Sequence, residues 1–358
     1  MAKVSTDVPA EILLAKRVQE MVMNDEEPAA QYKCRTDKDD AEDDNDDPIS
    51  SSPIPIIDLS FLSCSEAGEV ATEQELVKLK AALSSWGCFQ AVGHGISNIL
   101  LNEVQRVARE FFGQPMEEKQ KYGKTVVDFE GYGADPVPEE GQSLDWSDRL
   151  FLSVKPEDQR NYKLWPTDPE SFRAILEEYT KEIEKVTGMV SRAMAKSLDL
   201  DENCFLRQFG ERSQLQARFN YYLPCKRPDL VLGLKPHADG TGYTIIMQDE
   251  VGLQIRKDDK WFKVPKNPGA ILVLMGDQMQ IMSNGIFKSP VHRVLSNAKR
   301  DRISVAMFYT PEVGKEIGPE DGLITEESPA LYRKVKDYAD VHIGYYNKGL
   351  RSIHTAQV

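Results

Sequence analysis

The stretch that decides the fold begins at Leu215 and ends at Pro311, and its first part, residues 215–248, reads LQARFNYYLPCKRPDLVLGLKPHADGTGYTIIMQ. Short β-prone runs in this stretch alternate with turn sequences such as Asp239-Gly240 and Ser283-Asn284-Gly285. The preceding half has helical periodicity instead, most clearly over residues 172–200. This pattern predicts an α+β, mainly β fold: a double-stranded β-helix (jelly roll, cupin-like) core with flanking helices and an α/β amino-terminal region.

Two histidines and one aspartate in this stretch predict a metal site. His237 and Asp239 are two residues apart, so on an extended segment both side chains point to the same face. His292 lies between two apolar, β-prone runs and can supply a third ligand from another strand. Two imidazoles and one carboxylate on one face of an octahedral ion leave three positions open, which is typical of non-haem Fe(II) sites, whereas structural zinc takes four closed ligands.

A second group of side chains predicts an anion pocket beside the metal. Arg302 is followed two residues later by Ser304, so both face the same side of a strand. A guanidinium inside a barrel needs an anionic partner, and its planar fork fits a carboxylate. The phenol of Tyr222, just after Asn220, can reach the same carboxylate. The set predicts a binding pocket for a dicarboxylate.

The order of these motifs resembles that of the plant soluble 2-oxoglutarate- and Fe(II)-dependent dioxygenases, over roughly residues 53–346. One departure is Leu223, where the family usually has proline. The motifs that carry the resemblance are Ile54-Pro55-Ile56-Ile57-Asp58, Trp86-Gly87-Cys88-Phe89, Asn220-Tyr221-Tyr222, His237-Ala238-Asp239, Gly252-Leu253-Gln254, Ser283-Asn284-Gly285, His292-Arg293 and Arg302-Ile303-Ser304.

The resemblance implies an oxidoreductase with Fe(II), 2-oxoglutarate and O2 as reactants and ascorbate as reductant. It places Fe(II) on His237, Asp239 and His292 and the distal carboxylate of 2-oxoglutarate on Arg302, Ser304 and Tyr222, with Asn220 in support. 2-Oxoglutarate would yield succinate and CO2. The acidic linker and the segment Asp145-Trp146-Ser147-Asp148 favour the specialised-metabolism branch, which hydroxylates or O-demethylates small aromatics such as flavonoids and alkaloids.

Five further residues are candidate substrate contacts. Phe308 and Thr310 align with substrate-pocket positions of the resembling family, and Arg218 lies on the same strand face as Asn220. Phe129 and Tyr132 can stack on an aromatic substrate. A structural role is the alternative for each of these five residues.

His94 lies between two glycines. It is interpreted as a turn histidine bonded to backbone rather than a metal ligand.

Two other functions stay open at this point. One is an iron oxidase of the same fold that does not use 2-oxoglutarate; succinate formation would separate it from an oxygenase. The other is a non-catalytic small-molecule binding protein on the same barrel, which the complete ligand set disfavours.

Composition and charge narrow the class of partner to small molecules. The net charge is −14, and residues 37–47 hold eight acids and one lysine, a net of −7, which indicates a solvated linker. The acidity argues against nucleic acid and anionic membranes. The five cysteines show no paired spacing, and no apolar run approaches the roughly 18 residues of a membrane span. We expect a cytoplasmic monomer.

The chain is predicted to comprise six segments. They are an amino-terminal helix (1–34), an acidic linker (35–52), an amino-terminal dioxygenase domain (53–155), a helical support segment (156–212), the dioxygenase jelly-roll domain (213–312) and a carboxy-terminal helix and tail (313–358).

Overall fold

The computed structural model describes residues 17–34, 54–63, 68–125, 128–134 and 142–358. The predicted acidic linker (35–52) and residues 1–16 of the predicted amino-terminal helix lie outside these ranges. The α-helices of the described residues are α1 (Val18–Met23), α2 (Ser60–Ser63), α3 (Glu69–Ser85), α4 (Asn98–Gly113), α5 (Met116–Gln120), α6 (Phe172–Ser197), α7 (Cys204–Phe209), α8 (Asp277–Met282) and α9 (Tyr338–Tyr346).

The strands form two facing sheets and one short pair. An eight-stranded sheet has the order β1-β2-β10-β7-β12-β5-β4-β3, a four-stranded sheet has the order β6-β11-β8-β9, and β13 pairs with β14. The strands are β1 (Ile56–Asp58), β2 (Cys88–Val92), β3 (Gly131–Gly133), β4 (Asp148–Lys155), β5 (Gln214–Tyr222), β6 (Leu232–His237), β7 (Tyr243–Gln248), β8 (Leu253–Lys257), β9 (Lys260–Lys263), β10 (Ile271–Met275), β11 (His292–Leu295), β12 (Arg302–Thr310), β13 (Glu316–Ile317) and β14 (Val335–Lys336). This is the predicted jelly roll, with β1 to β4 extending its large sheet.

The central strands β5 and β12 divide their residues between two environments. They pair antiparallel, with Asn220 opposite Ser304 and Tyr222 opposite Arg302. These side chains point to the interior between the sheets. Their alternate neighbours, such as Phe219 and Val305, join the apolar layer beneath the helices. Because side chains alternate along a strand, one face of this sheet carries polar groups and the other builds the core.

Helices α3, α4 and α6 cover the outer face of the large sheet. The 26-residue helix α6 confirms the long helix predicted from residues 172–200, and its buried side chains recur at helical spacing, as in Leu176, Tyr179, Ile183 and Val186. Burial of each of these large apolar side chains stabilises the fold by about 1.5–3 kcal/mol.

Within the part of the chain that the structure describes, no helix has both the length and the apolar composition needed to span a membrane.

Residues 17–34 of the amino-terminal segment pack against the body of the protein. Val18 and Met21 of α1 lie in an apolar cluster with Trp146 and Leu223. Gln19 adds polar contacts: its side chain donates to Phe112 O at 2.8 Å, and its backbone N–H donates to Asp148 Oδ2 at 3.3 Å. Lys119 Nζ donates to Gln19 Oε1 at 2.6 Å. The segment therefore belongs to the folded core.

The carboxy-terminal segment is tied to the start of α8. Asp277 is fully buried; it accepts hydrogen bonds from Tyr338 Oη at 2.8 Å and from Arg351 Nη2 at 3.2 Å. The backbone N–H of Asp277 donates to Asp239 O at 2.8 Å. These contacts hold α9 beside the residues at the end of β6.

Candidate active site

The predicted metal ligands converge at the end of β6. His237 ends β6, Asp239 follows in the turn, and His292 begins β11 directly opposite His237. The two imidazole Nε2 atoms lie 3.5 Å (His237) and 3.7 Å (His292) from Asp239 Oδ1. Ligand atoms of the three residues all lie within 4.8 Å of one another, so they can bind one metal ion.

Hydrogen bonds orient each of these ligands. His237 Nδ1 lies 2.8 Å from Lys235 O, and His292 Nδ1 lies 3.4 Å from Pro290 O. A carbonyl oxygen only accepts, so both Nδ1 atoms carry the proton and both Nε2 lone pairs remain for a metal. The hydroxyl of Thr244 donates to Asp239 Oδ2, which leaves Oδ1 facing the histidines.

The surroundings set protonation states that suit metal binding. Burial by itself raises the pKa of Asp239, but His292, His237 and the Thr244 hydroxyl outweigh it and hold that pKa below the ordinary value. Burial and the neighbouring His237 lower the pKa of His292 to about 4. At neutral pH, Asp239 is therefore a carboxylate and His292 is a neutral imidazole, the forms that bind a metal.

Arg302 has one unsatisfied donor in the interior. Its Nε donates to Glu250 O at 2.9 Å, its Nη2 donates to Gln248 Oε1 at 2.8 Å, and its guanidinium carbon lies 4.9 Å from the centre of the Tyr222 ring. Its Nη1 is buried and has no hydrogen-bond partner in the described part of the chain. An unpaired buried donor is costly, so this atom is suited to a bound anion.

The other residues of the predicted anion pocket lie in the same cavity. Asn220 Nδ2 donates to Ser304 Oγ at 3.4 Å, and Arg218 Nε donates to Asn220 Oδ1 at 2.6 Å. This interior cavity is lined by Arg302, Ser304, Tyr222 and Asn220 together with the triad. The donor set fits Fe(II), and the free Nη1 of Arg302 fits a carboxylate of 2-oxoglutarate. The unpaired Nη1 of Arg302 also disfavours an iron oxidase that does not use 2-oxoglutarate.

A larger cavity of about 690 Å³ opens onto His237 and Asp239. Of the predicted substrate contacts, Phe129, Phe308, Thr310 and Arg218 line it. Phe151, which the sequence interpretation missed, stands between two of these rings: its centroid lies 6.1 Å from that of Phe308 in a stacked arrangement and 4.9 Å from that of Phe129 edge to face. This volume and aromatic lining are typical of a small-molecule site.

Tyr132 does not reach this cavity, so its predicted substrate contact does not hold. On the short strand β3 it pairs with Leu150 and faces the helices, whereas Gly131, opposite Phe151, occupies the cavity side. The Tyr132 ring is fully buried beside Phe111, and its hydroxyl donates to Gln19 Oε1 at 3.2 Å. Tyr132 is a core residue.

The sequence interpretation also missed the contribution of α9. His342, Ile343 and Tyr346 line the large cavity. The Tyr346 ring lies 5.4 Å from that of His237, and the Lys235 ammonium lies 5.1 Å from its centre. The histidine and tyrosines of this segment were the available signal, but nothing local indicates where the helix docks.

His94 has the structural role that the sequence analysis favoured. Ile96 N donates to His94 Nδ1 at 3.1 Å, so the Nε2 of His94 carries the proton and donates to Gly269 O at 2.8 Å. Both ring nitrogens are thus engaged with backbone.

Comparison with known families agrees with the fold and the site. Residues 213–311 match the 2OG-Fe(II) oxygenase superfamily, and residues 54–168 match the amino-terminal domain described as non-haem dioxygenase in morphine synthesis. The structure is similar to the crystal structure of JOX2 in complex with 2OG, Fe and JA, with a TM-score of 0.83, 33% identity and coverage of 96% of this chain and 98% of the other.

Curated plant relatives cover most of this chain. Lateral branching oxidoreductase 1 of Arabidopsis thaliana is 39% identical over 85% of each chain. Codeine O-demethylase of Papaver somniferum is 40% identical over 80% of each, and flavonol synthase 1 of Crocosmia x crocosmiiflora is 37% identical over 82% of this chain and 86% of the relative.

The chain therefore belongs to the 2-oxoglutarate- and Fe(II)-dependent oxygenase superfamily. Within it, the chain is a plant-type 2-oxoglutarate-dependent dioxygenase, an oxidoreductase whose cofactors are Fe(II) and 2-oxoglutarate. Membership of this enzyme family excludes the alternative of a non-catalytic small-molecule binding protein. The names of the relatives cover different substrates, so family membership alone leaves the substrate undetermined.

Proposed function

We propose that this dioxygenase hydroxylates or O-demethylates a small aromatic metabolite of the flavonoid or alkaloid type. The observation that carries the proposal is the group of aromatic rings, Phe129, Phe151 and Phe308, that lines the cavity beside the triad. Aromatic faces and edges pair favourably with a flat aromatic ligand. The relatives named for codeine demethylation and flavonol synthesis support the same substrate class.

In this proposal each polar group has one task. His237, Asp239 and His292 hold Fe(II); Arg302, with Ser304 and Tyr222, binds the distal carboxylate of 2-oxoglutarate, and Asn220 positions Ser304 through their hydrogen bond. When bound, iron and 2-oxoglutarate supply with O2 the oxidising chemistry: one oxygen atom enters succinate, CO2 leaves, and the other oxygen atom enters the substrate. Arg302 and Ser304 are buried, so little water competes with the carboxylate of 2-oxoglutarate for them.

The choice between hydroxylation and demethylation depends only on which carbon faces His237 and Asp239. A ring C–H in that position gives a phenol, and an aliphatic C–H gives a stable alcohol. A methoxy carbon gives a hemiacetal that releases formaldehyde and leaves a hydroxyl on the ring. The cavity residues orient the substrate, so Phe308 and Thr310, which line the cavity from β12, are placed to influence the outcome.

Arg218 is proposed as a substrate contact. It lines both the interior cavity and the large cavity, it is buried, and its Nε donates to Asn220. Its guanidinium can therefore align an oxygen atom of the substrate with the 2-oxoglutarate pocket.

We further propose that the enzyme works as a cytoplasmic monomer, which cell fractionation and size-exclusion chromatography would test.

Succinate and formaldehyde release from the iron-loaded protein tests the proposal. The protein receives 2-oxoglutarate, ascorbate, air and a panel of flavonoids and alkaloids, each with and without methoxy groups. Substrate-dependent succinate with equal formaldehyde indicates O-demethylation, and succinate without formaldehyde indicates hydroxylation. If no aromatic compound raises succinate above the substrate-free background while a non-aromatic acid does, the proposed substrate class is wrong.

A further inference from the structure

His342 of α9 lies directly against the backbone that follows a proposed metal ligand. A Cβ atom on Gly240, the residue after Asp239, would lie 2.2 Å from His342 Cγ, so the imidazole packs where only glycine leaves room. His342 lines the large cavity with His237, Asp239 and Gly240. Its ring therefore forms part of the wall next to the site of reaction.

The hydrogen bonds behind His342 determine which ring nitrogen carries the proton. Asp277 pairs with Arg351 and only accepts, and Tyr338 Oη donates to Asp277 Oδ2 at 2.8 Å. Ser352 Oγ lies 2.8 Å from Tyr338 Oη and 3.4 Å from Asp277 Oδ2. Two hydroxyl oxygens 2.8 Å apart need a proton between them, and because the Tyr338 proton is directed to Asp277, Ser352 donates to Tyr338 Oη. Ser352 Oγ is left to accept.

The remaining contact of Ser352 is with His342. His342 Nδ1 lies 3.1 Å from Ser352 Oγ, and because that oxygen accepts, Nδ1 carries the proton. Burial lowers the pKa of His342 below its ordinary value, which keeps the imidazole neutral. Nε2 therefore has a lone pair, and the hydrogen bond and the ion-pair contact that His342 makes with described residues both involve Nδ1.

We propose that Nε2 of His342 accepts a hydrogen bond from a hydroxyl or N–H group of the substrate and thereby selects substrates that carry such a donor at this end of the cavity. The inference rests on the proposed function, since it names the recognised group of the same aromatic substrate. A carboxylate in this position would face the lone pair of His342 and the carboxylate of Asp340, which also lines the cavity. A phenol, an alcohol or a protonated amine suits the position instead.

Binding of a matched pair of probes, 2-naphthol and 2-methoxynaphthalene, tests this. Both are titrated calorimetrically into anaerobic protein loaded with Fe(II) and 2-oxoglutarate. Wild type should bind 2-naphthol about fivefold more tightly, the effect of one hydrogen bond. His342→Phe keeps a ring against Gly240 but has no acceptor, so the ratio should fall to about one. The control His354→Phe, at an exposed histidine of the same tail, should keep the wild-type ratio.

A second variant tests the proton assignment separately. Ser352→Ala removes the acceptor for Nδ1–H, frees the ring to exchange its proton between the two nitrogens, and should lower the ratio part of the way. His342→Leu takes the place of His342→Phe if thermal unfolding shows that the latter does not fold. A ratio that stays at its wild-type value in the His342 variant overturns the inference and leaves the proposed function standing. If neither probe binds wild type, the inference fails, whereas the aromatic substrate class is judged by the succinate assay.

Discussion

Arg302 is a buried cation, and only some of its hydrogen-bond donors have a partner in the described residues. Gln248, Glu250 and the Tyr222 ring partly compensate its burial, yet Nη1 has no partner in the described residues. A guanidinium forms two parallel hydrogen bonds with one carboxylate, whereas an ammonium is a point charge. This difference allows the role of Arg302 to be measured.

Arg302→Lys should weaken 2-oxoglutarate binding by roughly tenfold to a hundredfold, since one charge-assisted hydrogen bond is worth about 1.5–3 kcal/mol. Calorimetric titration of 2-oxoglutarate into Mn(II)-loaded protein measures this. The control is Arg300→Lys, at an exposed arginine paired with Glu250 at 3.1 Å, which should bind as wild type does. Equal affinity in the two variants would place the carboxylate elsewhere.

Thr244 provides a second test at residue scale, because its hydroxyl donates to the oxygen of Asp239 that faces away from the histidines. Thr244→Val keeps the shape and removes the donor. We expect metal affinity to fall by about 10- to 100-fold, as is common when a partner of a metal ligand is lost. Thr241→Val, at a neighbouring threonine whose hydroxyl lies 3.4 Å from Thr244 Oγ1, is the matched control. An unchanged Mn(II) titration for Thr244→Val would refute the role.

Residue-scale prediction succeeded where the chemistry is local. The structure brings His237 and Asp239 together as their spacing suggested, although β6 ends at His237 and Asp239 lies in the turn, and Arg302 and Ser304 share one face of β12. The side that Tyr132 faces was predicted wrongly, because a three-residue strand that begins and ends with glycine gives no local sign of which face meets the helices. His342 could not be placed, since its position depends on the contact between Tyr338 and Asp277, 61 residues apart in sequence.

At the scale of elements, α9 is the piece whose docking completes the cavity. Its contact with Gly240 leaves no room for a side chain there, because a Cβ atom on Gly240 would lie 2.2 Å from His342 Cγ. The strands and long helices followed from period and turn signals, but short helices such as α8 and α9 are fixed by tertiary contacts, which no sequence window contains.

Gly240→Ala should displace α9 and weaken binding of aromatic substrates by tenfold or more, with thermal stability reduced by the overpacking cost of about 1–3 kcal/mol. The control Gly344→Ala lies within α9, where an added Cβ meets nothing within 4 Å. That substitution should be neutral or stabilising, because alanine favours a helix over glycine. Equivalent thermal unfolding and substrate binding in the two variants would show that α9 does not press on Gly240.

At the scale of the whole molecule, the amino-terminal segment, the sheets and the carboxy-terminal tail form one connected body. The jelly roll was predictable because many short strands separated by turn signals have few other ways to form a closed pair of sheets. The contact of α1 with β4, through Gln19 and Asp148, was not, because it joins residues 129 apart in sequence. Only the helical pattern of the segment was visible beforehand.

Two methionines of α1 test whether this segment contributes to global stability. Met21 is 1% exposed and Met23 is 80% exposed. Met21→Ala should lower the free energy of unfolding by about 2–5 kcal/mol in urea titration. Met23→Ala should change it by less than about 0.5 kcal/mol. If Met21→Ala leaves the free energy of unfolding unchanged, α1 is an appendage rather than part of the core.

The most direct test of the central claim is the crystal structure of the Mn(II)- and 2-oxoglutarate-bound protein with an aromatic substrate that it turns over. We predict the substrate ring among Phe129, Phe151 and Phe308, the carbon that is oxidised facing the metal on His237, Asp239 and His292, and a 2-oxoglutarate carboxylate on Arg302 Nη1. A substrate bound outside this cavity, or a co-substrate that leaves Arg302 Nη1 unpaired, would contradict the account.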